Sequence, residues 1–271
     1  MSEPAQYLDS HMHLDIVHHC HPDRIQWLKD NGCAVVSWAF SPREGETAEL
    51  ARYLKFQAET IQSINEQGLP CRFLAGIHPR NIPGDMDPAQ CTEFLGPFLA
   101  HPLCLGIGEI GLETGEAREI EFFTAQLAAA RDAGKNCRTG VHTPRKNKPE
   151  ITSTVLDVLD CFHELHGRLV VDHCTPETIE SVLDHGWMAG ITLSPVKSSL
   201  ADLQAIFKVR PDCAARIMCN TDSGMDFYED LLISNDCFKR SLETRRALFG
   251  GNAADFFNWR PGPCLNAASE A

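Results

Sequence analysis

The stretch "LCLGIGEIGL", residues 103–112, runs straight into "ETGEAREIEFFTAQLAAARDAG", residues 113–134, and this pair decides the fold. The first part is a nearly continuous apolar run of strand length, the pattern of a parallel strand covered on both faces. In the second, Ile120, Phe123, Leu127 and Ala130 recur at helical spacing between Glu116 and Ala133, and Gly134 follows as a stop. The unit is therefore strand, then helix.

Working outward, the same unit recurs. Strand-like runs stand at "QYLDSHMHL" (6–14), "CAVVSWAF" (33–40), "CRFLAGIHP" (71–79), "CRTGVHTP" (137–144), "RLVVDHC" (168–174), "WMAGITLSP" (187–195) and "RIMCNTDSG" (216–224). A helix-like segment follows each. In "TPETIESVLDHG" (175–186), for example, Thr175 is the expected N-cap and Gly186 the stop, with Ile179, Val182 and Leu183 on one face. Eight strand–helix units predict an α/β fold, a (β/α)₈ TIM barrel, with a doubly wound open sheet as the alternative topology. Residues 1–259 read as one barrel domain, and 260–271 as a surface strap or disordered end.

Composition sets limits on function. The 271 residues are 43% hydrophobic and carry a formal net charge of −13, which argues against broad non-specific affinity for nucleic acid. A nucleotide substrate stays compatible, because bound divalent metal supplies local positive charge. Twelve cysteines are scattered with no C-x-x-C pair, so they read as reduced, buried small hydrophobes and not as disulfides or a zinc knuckle. No apolar run is long enough to cross a bilayer and no signal-peptide pattern appears, so a cytoplasmic protein with no membrane partner is expected.

Barrel enzymes place their chemistry at the C-terminal ends of the strands. Here those ends carry Asp9, His11 and His13 on the first, His78 on the third, Glu109 on the fourth, His142 on the fifth, His173 on the sixth and Asp222 on the eighth. Alternate strand residues point the same way, so Asp9, His11 and His13 are expected to project together. Each residue alone has a plain structural explanation. Their recurrence at one end of most strands makes a joint site the better reading. His11, His13, His142, His173, Glu109 and Asp222 suffice for one or two divalent ions, and two such ions stand roughly 3.5–4 Å apart. Glu109 suits the bridge, and Asp222 suits both metal binding and acceptance of a proton from the attacking water. Asp9 and Asp172 are candidates to orient imidazoles, and Asp172 reads equally as a cap or turn residue. The donor set is compatible with zinc, manganese, magnesium, nickel or iron.

"HHCHP" (His18, His19, Cys20, His21, Pro22) looks metal-like but reads as a loop leading into a helix that starts at Pro22-Asp23. His163 and His166 fall on a helix without H-E-x-x-H spacing, and His101 and His185 read as surface or helix-end residues.

"DSHMHLD", "GIHPR", "GEIGLE", "GVHTP", "VDHC", "NTDSG" and "GGNAADFF", in this order, resemble the TatD-like metal-dependent hydrolases of the amidohydrolase superfamily. The resemblance implies that His11, His13 and Asp222 hold one ion, that Glu109 bridges, and that His142 and His173 hold the other. In related barrels a carbamylated lysine bridges, whereas this chain offers Glu109. Some motifs depart from the family pattern. Arg145 is displaced from the usual H-x-R, "HCTPET" lacks the usual Phe-Gly after the histidine, and "NTDSG" has Asn220 for glutamate and Gly224 for proline.

The expected function is thus a divalent-metal hydrolase acting on a phosphoester bond of a small-molecule or nucleotide substrate, of deoxyribonuclease or phosphodiesterase type. His78 and Arg145 are its candidate substrate contacts, and Lys146 and Lys148 could also meet phosphate. The alternative, hydrolysis of a small amide, ester or lactone, draws its support from the acidic surface and altered motifs. A non-catalytic metal-binding barrel is the third reading, which the intact ligand set disfavours.

Overall fold

In the computed structural model, which describes residues 5–41 and 45–264, eight parallel strands form one sheet in sequential order. They are β1 (Tyr7–Met12), β2 (Cys33–Trp38), β3 (Cys71–Ala75), β4 (Cys104–Gly111), β5 (Arg138–His142), β6 (Leu169–Val171), β7 (Met188–Thr192) and β8 (Ile217–Asn220). Each lies within a run picked out by its apolar character. The barrel closes beyond β8, where the Asp222 N–H donates to the His11 carbonyl at 2.9 Å and the His13 N–H to the Ser223 carbonyl at 2.7 Å. The open-sheet alternative is excluded by this closure.

Alternation along the strands divides the core in two. Leu8, Ala34, Val36, Trp38, Leu74, Val170 and Met218 pack together, and the helix Asn252–Phe256 joins them through Ala253, Ala254 and Phe256. The opposite residues, such as Cys33, Val35, Phe73, Ile107, Val141 and Ile191, pack with the surrounding helices. Helix Ala117–Asp132 buries Phe123, Leu127 and Ala130 there, as its spacing predicts, together with Phe122, while Ile120 is only partly buried against the core. Cysteines follow the expected pattern for the most part: all are free and seven are buried, though Cys161 and Cys237 are exposed.

Local details differ from the sequence reading. His18 and His19 lie in the last turn of a helix, Leu14–Cys20, and not in a loop, because β1 ends at Met12 and the chain turns helical almost at once. The following helix does start where expected, with Pro22 as its N-cap. His163 sits in a single 3₁₀ turn, His163–Leu165, that His166 ends. Thr175 does not cap the regular helix: that helix spans Ile179–Asp184, preceded by a turn in which the Thr175 carbonyl accepts the Thr178 and Ile179 N–H groups. Cys264 donates its thiol to the Cys33 carbonyl at 3.4 Å, while residues 265–271 of the expected tail lie outside the described residues. Among the described residues, no helix is long and apolar enough to cross a membrane.

Candidate metal centre

Two register shifts shape the site. One falls in β1 between Asp9 and Met12 against β2, the other in β4 between Ile107 and Ile110 against β5. Each leaves an extra residue on the site-bearing strand, and such bulges re-aim side chains. The first explains why Asp9 does not project with His11 and His13. Its buried carboxylate instead accepts the Thr221 hydroxyl at 2.7 Å and the His11 N–H at 3.2 Å, tying β1 to the end of β8. Burial raises the Asp9 carboxyl to about 7, against the pull of these hydrogen bonds. Asp9 orients no imidazole.

Asp172 does. Its Oδ2 lies 2.5 Å from His11 Nδ1, and Asn220 Nδ2 donates to both Asp172 oxygens at 2.9 and 3.1 Å. Gly190 on β7 makes room for this carboxylate, since a Cβ there would stand 2.0 Å from Asp172 Oδ1. The Asn220 departure is thereby explained. An amide at this position donates to Asp172, where a glutamate would set a second carboxylate against it.

In their neutral forms His11 and His13 have fixed tautomers. His13 Nδ1 faces the Trp38 carbonyl at 2.9 Å, an acceptor only, so this nitrogen carries the proton. His13 Nε2 then points at Asp222 Oδ1, 3.0 Å away, and Glu109 Oε2, 3.7 Å away. His11, stacked on Trp38 at 4.0 Å, turns its Nε2 toward Glu109 Oε2 at 3.4 Å and Asp222 Oδ1 at 3.5 Å. That nitrogen is buried and, among the described residues, has no hydrogen-bond partner. Lone pairs of two imidazoles facing two carboxylates require a cation among them, either protons or a metal. The ligand atoms of His11, His13, Glu109 and Asp222 all lie within 4.8 Å of one another, so the group fits a divalent ion. Without one, burial acts to lower His11, but Glu109, Asp172 and Asp222 outweigh it and raise it to about 10.

His142 and His173 meet at the other oxygen of the same carboxylate. His142 Nδ1 is 2.7 Å and His173 Nε2 3.2 Å from Glu109 Oε1. Glu109 thus presents Oε2 to the first pair of imidazoles and Oε1 to the second, as a bridge requires. Burial works to raise its carboxyl, but His11, His78 and His142 hold it well below the usual carboxylate range. His173 stays neutral: burial and the nearby Lys197 push it down to about 4. His173 and Asp222 both adopt positive φ, 60° and 53°, conformations that non-glycine residues hold chiefly where surrounding structure enforces them.

By distance His78 also groups with Glu109 and His142. Its Nδ1, however, accepts the Arg80 N–H at 3.1 Å. The neutral ring then carries its proton on Nε2, which faces Glu109 Oε1 at 3.8 Å as a donor and not as a lone pair. Arg145 is exposed at the mouth, and Lys146 is exposed beside it. Lys148 is spent otherwise. Its ammonium donates to Thr143 Oγ1 at 3.0 Å and the His173 carbonyl at 2.9 Å, clamping the loops after β5 and β6.

Two residues escaped the sequence reading. Glu113 Oε2 accepts from His142 Nε2 at 2.9 Å while its Oε1 pairs with Arg80 at 2.8 Å. The Glu119 carboxylate fixes Glu113 in place by accepting the N–H groups of Glu113, Thr114 and Gly115, each at 2.9 Å. Glu113 follows Glu109 at an even spacing, a signal that was available. Lys197, in the loop after β7, places Nζ 2.5 Å from Asp222 Oδ2 and 2.9 Å from His173 Nε2, and no periodicity marks it.

A (β/α)₈ barrel with imidazoles and carboxylates converging at the C-terminal strand ends defines a metal-dependent hydrolase of the amidohydrolase superfamily. Residues 8–225 match the model of the TatD related DNase family, and the chain belongs to that family. It is 28% identical to the TatD-like protein of Archaeoglobus fulgidus, with a TM-score of 0.74 over 93% of this chain and 100% of that one. An uncharacterized metal-dependent hydrolase of Methanocaldococcus jannaschii is 25% identical over 190 residues, 69% of this chain and 73% of the relative. The TatD homolog of Escherichia coli K12 shares the fold at a TM-score of 0.67 and 18% identity, covering 94% of this chain and 98% of its own.

Proposed function

We propose that this enzyme hydrolyses phosphoester bonds of small or nucleotide substrates, with divalent ions held by His11, His13 and Asp222 on one side and His142 and His173 on the other, bridged by Glu109. The observation that carries the reading is the aim of His11 Nε2 and His13 Nε2, the nitrogens opposite those held by Asp172 and Trp38, at Glu109 and Asp222. Zinc, manganese, magnesium, nickel and iron all suit this donor set. Such ions supply Lewis acidity toward phosphoryl oxygens and acidify water.

The chain's own groups supply the rest. Burial acts to raise the Asp222 carboxyl, yet Lys197 and His13 hold it well below the usual range, so it is ionised and can accept a proton from the attacking water. His78 offers its Nε2–H toward the centre, and burial keeps that ring neutral by pushing its pKa well down. Glu113 holds His142 by the nitrogen turned away from Glu109. Arg145 faces substrate at the mouth. Free cysteines throughout the described chain suit a reducing compartment, the cytoplasm.

The test is turnover by protein reconstituted with each metal. Bis(p-nitrophenyl) phosphate and a single-stranded oligonucleotide should be cleaved, with Asp222→Asn lowering kcat by roughly 10²–10⁴-fold. Turnover of ester, lactone or dipeptide panels with no phosphodiester cleavage contradicts the reading and leaves the small amide, ester or lactone alternative.

A further inference from the structure

A cavity of about 470 Å³ opens beside the metal centre, between the loops that follow β5, β6 and β7. It shares a wall with the smaller metal-centre cleft, because Arg145, Val196 and Lys197 line both. A ligand anchored at the metal centre therefore reaches the side cavity by passing this wall, and the volume is within the range that holds a nucleotide-sized group.

Three cations stand at or behind the wall, and they are not equivalent. Lys197 is engaged with Asp222 at 2.5 Å, and Lys148 with Thr143 and the His173 carbonyl. Arg145 makes no hydrogen bond or ion pair among the described residues. Its forked guanidinium is free to take an anion in bidentate fashion, with the fixed charges of both lysines adding to the local field. Two acids lie among the residues lining only the larger cavity. Asp202 is held by the Ser199 N–H at 2.8 Å and hydroxyl at 2.7 Å, and Glu177 is exposed. Their charge opposes any anion deeper in the cavity. The net charge of −13 likewise opposes a long polyanion across the surface. The pattern admits one extra anionic group near the wall and no more.

We propose that this side cavity is a subsite for a single additional phosphomonoester group of a short substrate, of mononucleotide or dinucleotide size, and that Arg145 recognises it. The inference rests on the phosphoester reading above, and it narrows that reading from nucleic acid at large to short phosphodiesters bearing a second anion.

Binding decides it without turnover. Dissociation constants of thymidine 5′-phosphate and thymidine 3′,5′-bisphosphate are measured by equilibrium dialysis on the full-length metal-loaded protein and on Arg145→Gln. Either phosphate of the bisphosphate can take the metal centre, so the comparison does not depend on orientation. The bisphosphate should bind about tenfold more tightly or better in the parent protein, and Arg145→Gln should bring the ratio close to one. Equal binding of the two ligands in the parent protein, or a preference that survives Arg145→Gln, overturns the subsite. In parallel, thymidine 5′-(p-nitrophenyl phosphate) is assayed with and without a 3′-phosphate. Failure to hydrolyse either ester counts against the phosphoester reading, while the dialysis ratio still decides the subsite. The two failures are thereby distinct.

Discussion

Asp172 Oδ2 stands 2.5 Å from His11 Nδ1, and this contact sets the direction of the opposite nitrogen, His11 Nε2, toward Glu109 and Asp222. A buried carboxylate behind a ligating imidazole fixes its tautomer and raises its basicity. Replacing it with Asp172→Asn should lower metal affinity by roughly 10–100-fold, read by competition against a chelator of known affinity. Unchanged affinity would mean that His11 is oriented by its stacking on Trp38 alone.

Asn220 holds Asp172 from the other side, donating to both oxygens. The isosteric Asn220→Asp removes that donor and sets a like charge against Asp172. About 1–3 kcal/mol of stability should be lost, measured by urea unfolding. The introduced carboxyl has a folded pKa raised above its unfolded value. Its cost is therefore small below the unfolded value and grows as pH rises through it. A deficit that shrinks with rising pH would be inconsistent with this arrangement.

Metal uptake should release protons. In the metal-free protein His11 is raised to about 10 and is protonated at neutral pH, whereas a ligand nitrogen must be bare. The stabilisation from protonated His11 is complete below its unfolded value, near 6.5, and fades as pH rises toward about 10. Apparent metal affinity should accordingly increase with pH over the same window. Titration calorimetry in buffers of different ionisation enthalpy counts the protons, and a count of zero would place the binding elsewhere.

Much of the site could be read because of where its residues stand. His11, Glu109, His142 and His173 each stand at or near the C-terminal end of a strand, and in a parallel barrel those ends meet. What escaped depends on geometry that spacing does not encode. Strict alternation puts Asp9 beside His11, but the register shift in β1 turns it to Thr221 instead. Lys197 reaches Asp222 from an irregular loop, and nothing local in "SPVKSS" marks that reach. Lys148 reads as a phosphate contact because it is basic and near His142, yet burial leaves its ammonium to the nearest carbonyls. Glu113 is legible by contrast, since Glu109, Gly111 and Glu113 follow the same alternation that singles out His11 and His13.

The central claim is that Glu109 joins two metal positions through its two oxygens. Elemental analysis of the purified protein and of Glu109→Gln, after identical reconstitution and desalting, tests it most directly. About two divalent ions per chain are expected in the parent protein and loss of at least one in the variant, with the fold intact by circular dichroism. A parent protein that retains no metal, or a variant that retains as much as its parent, would contradict it.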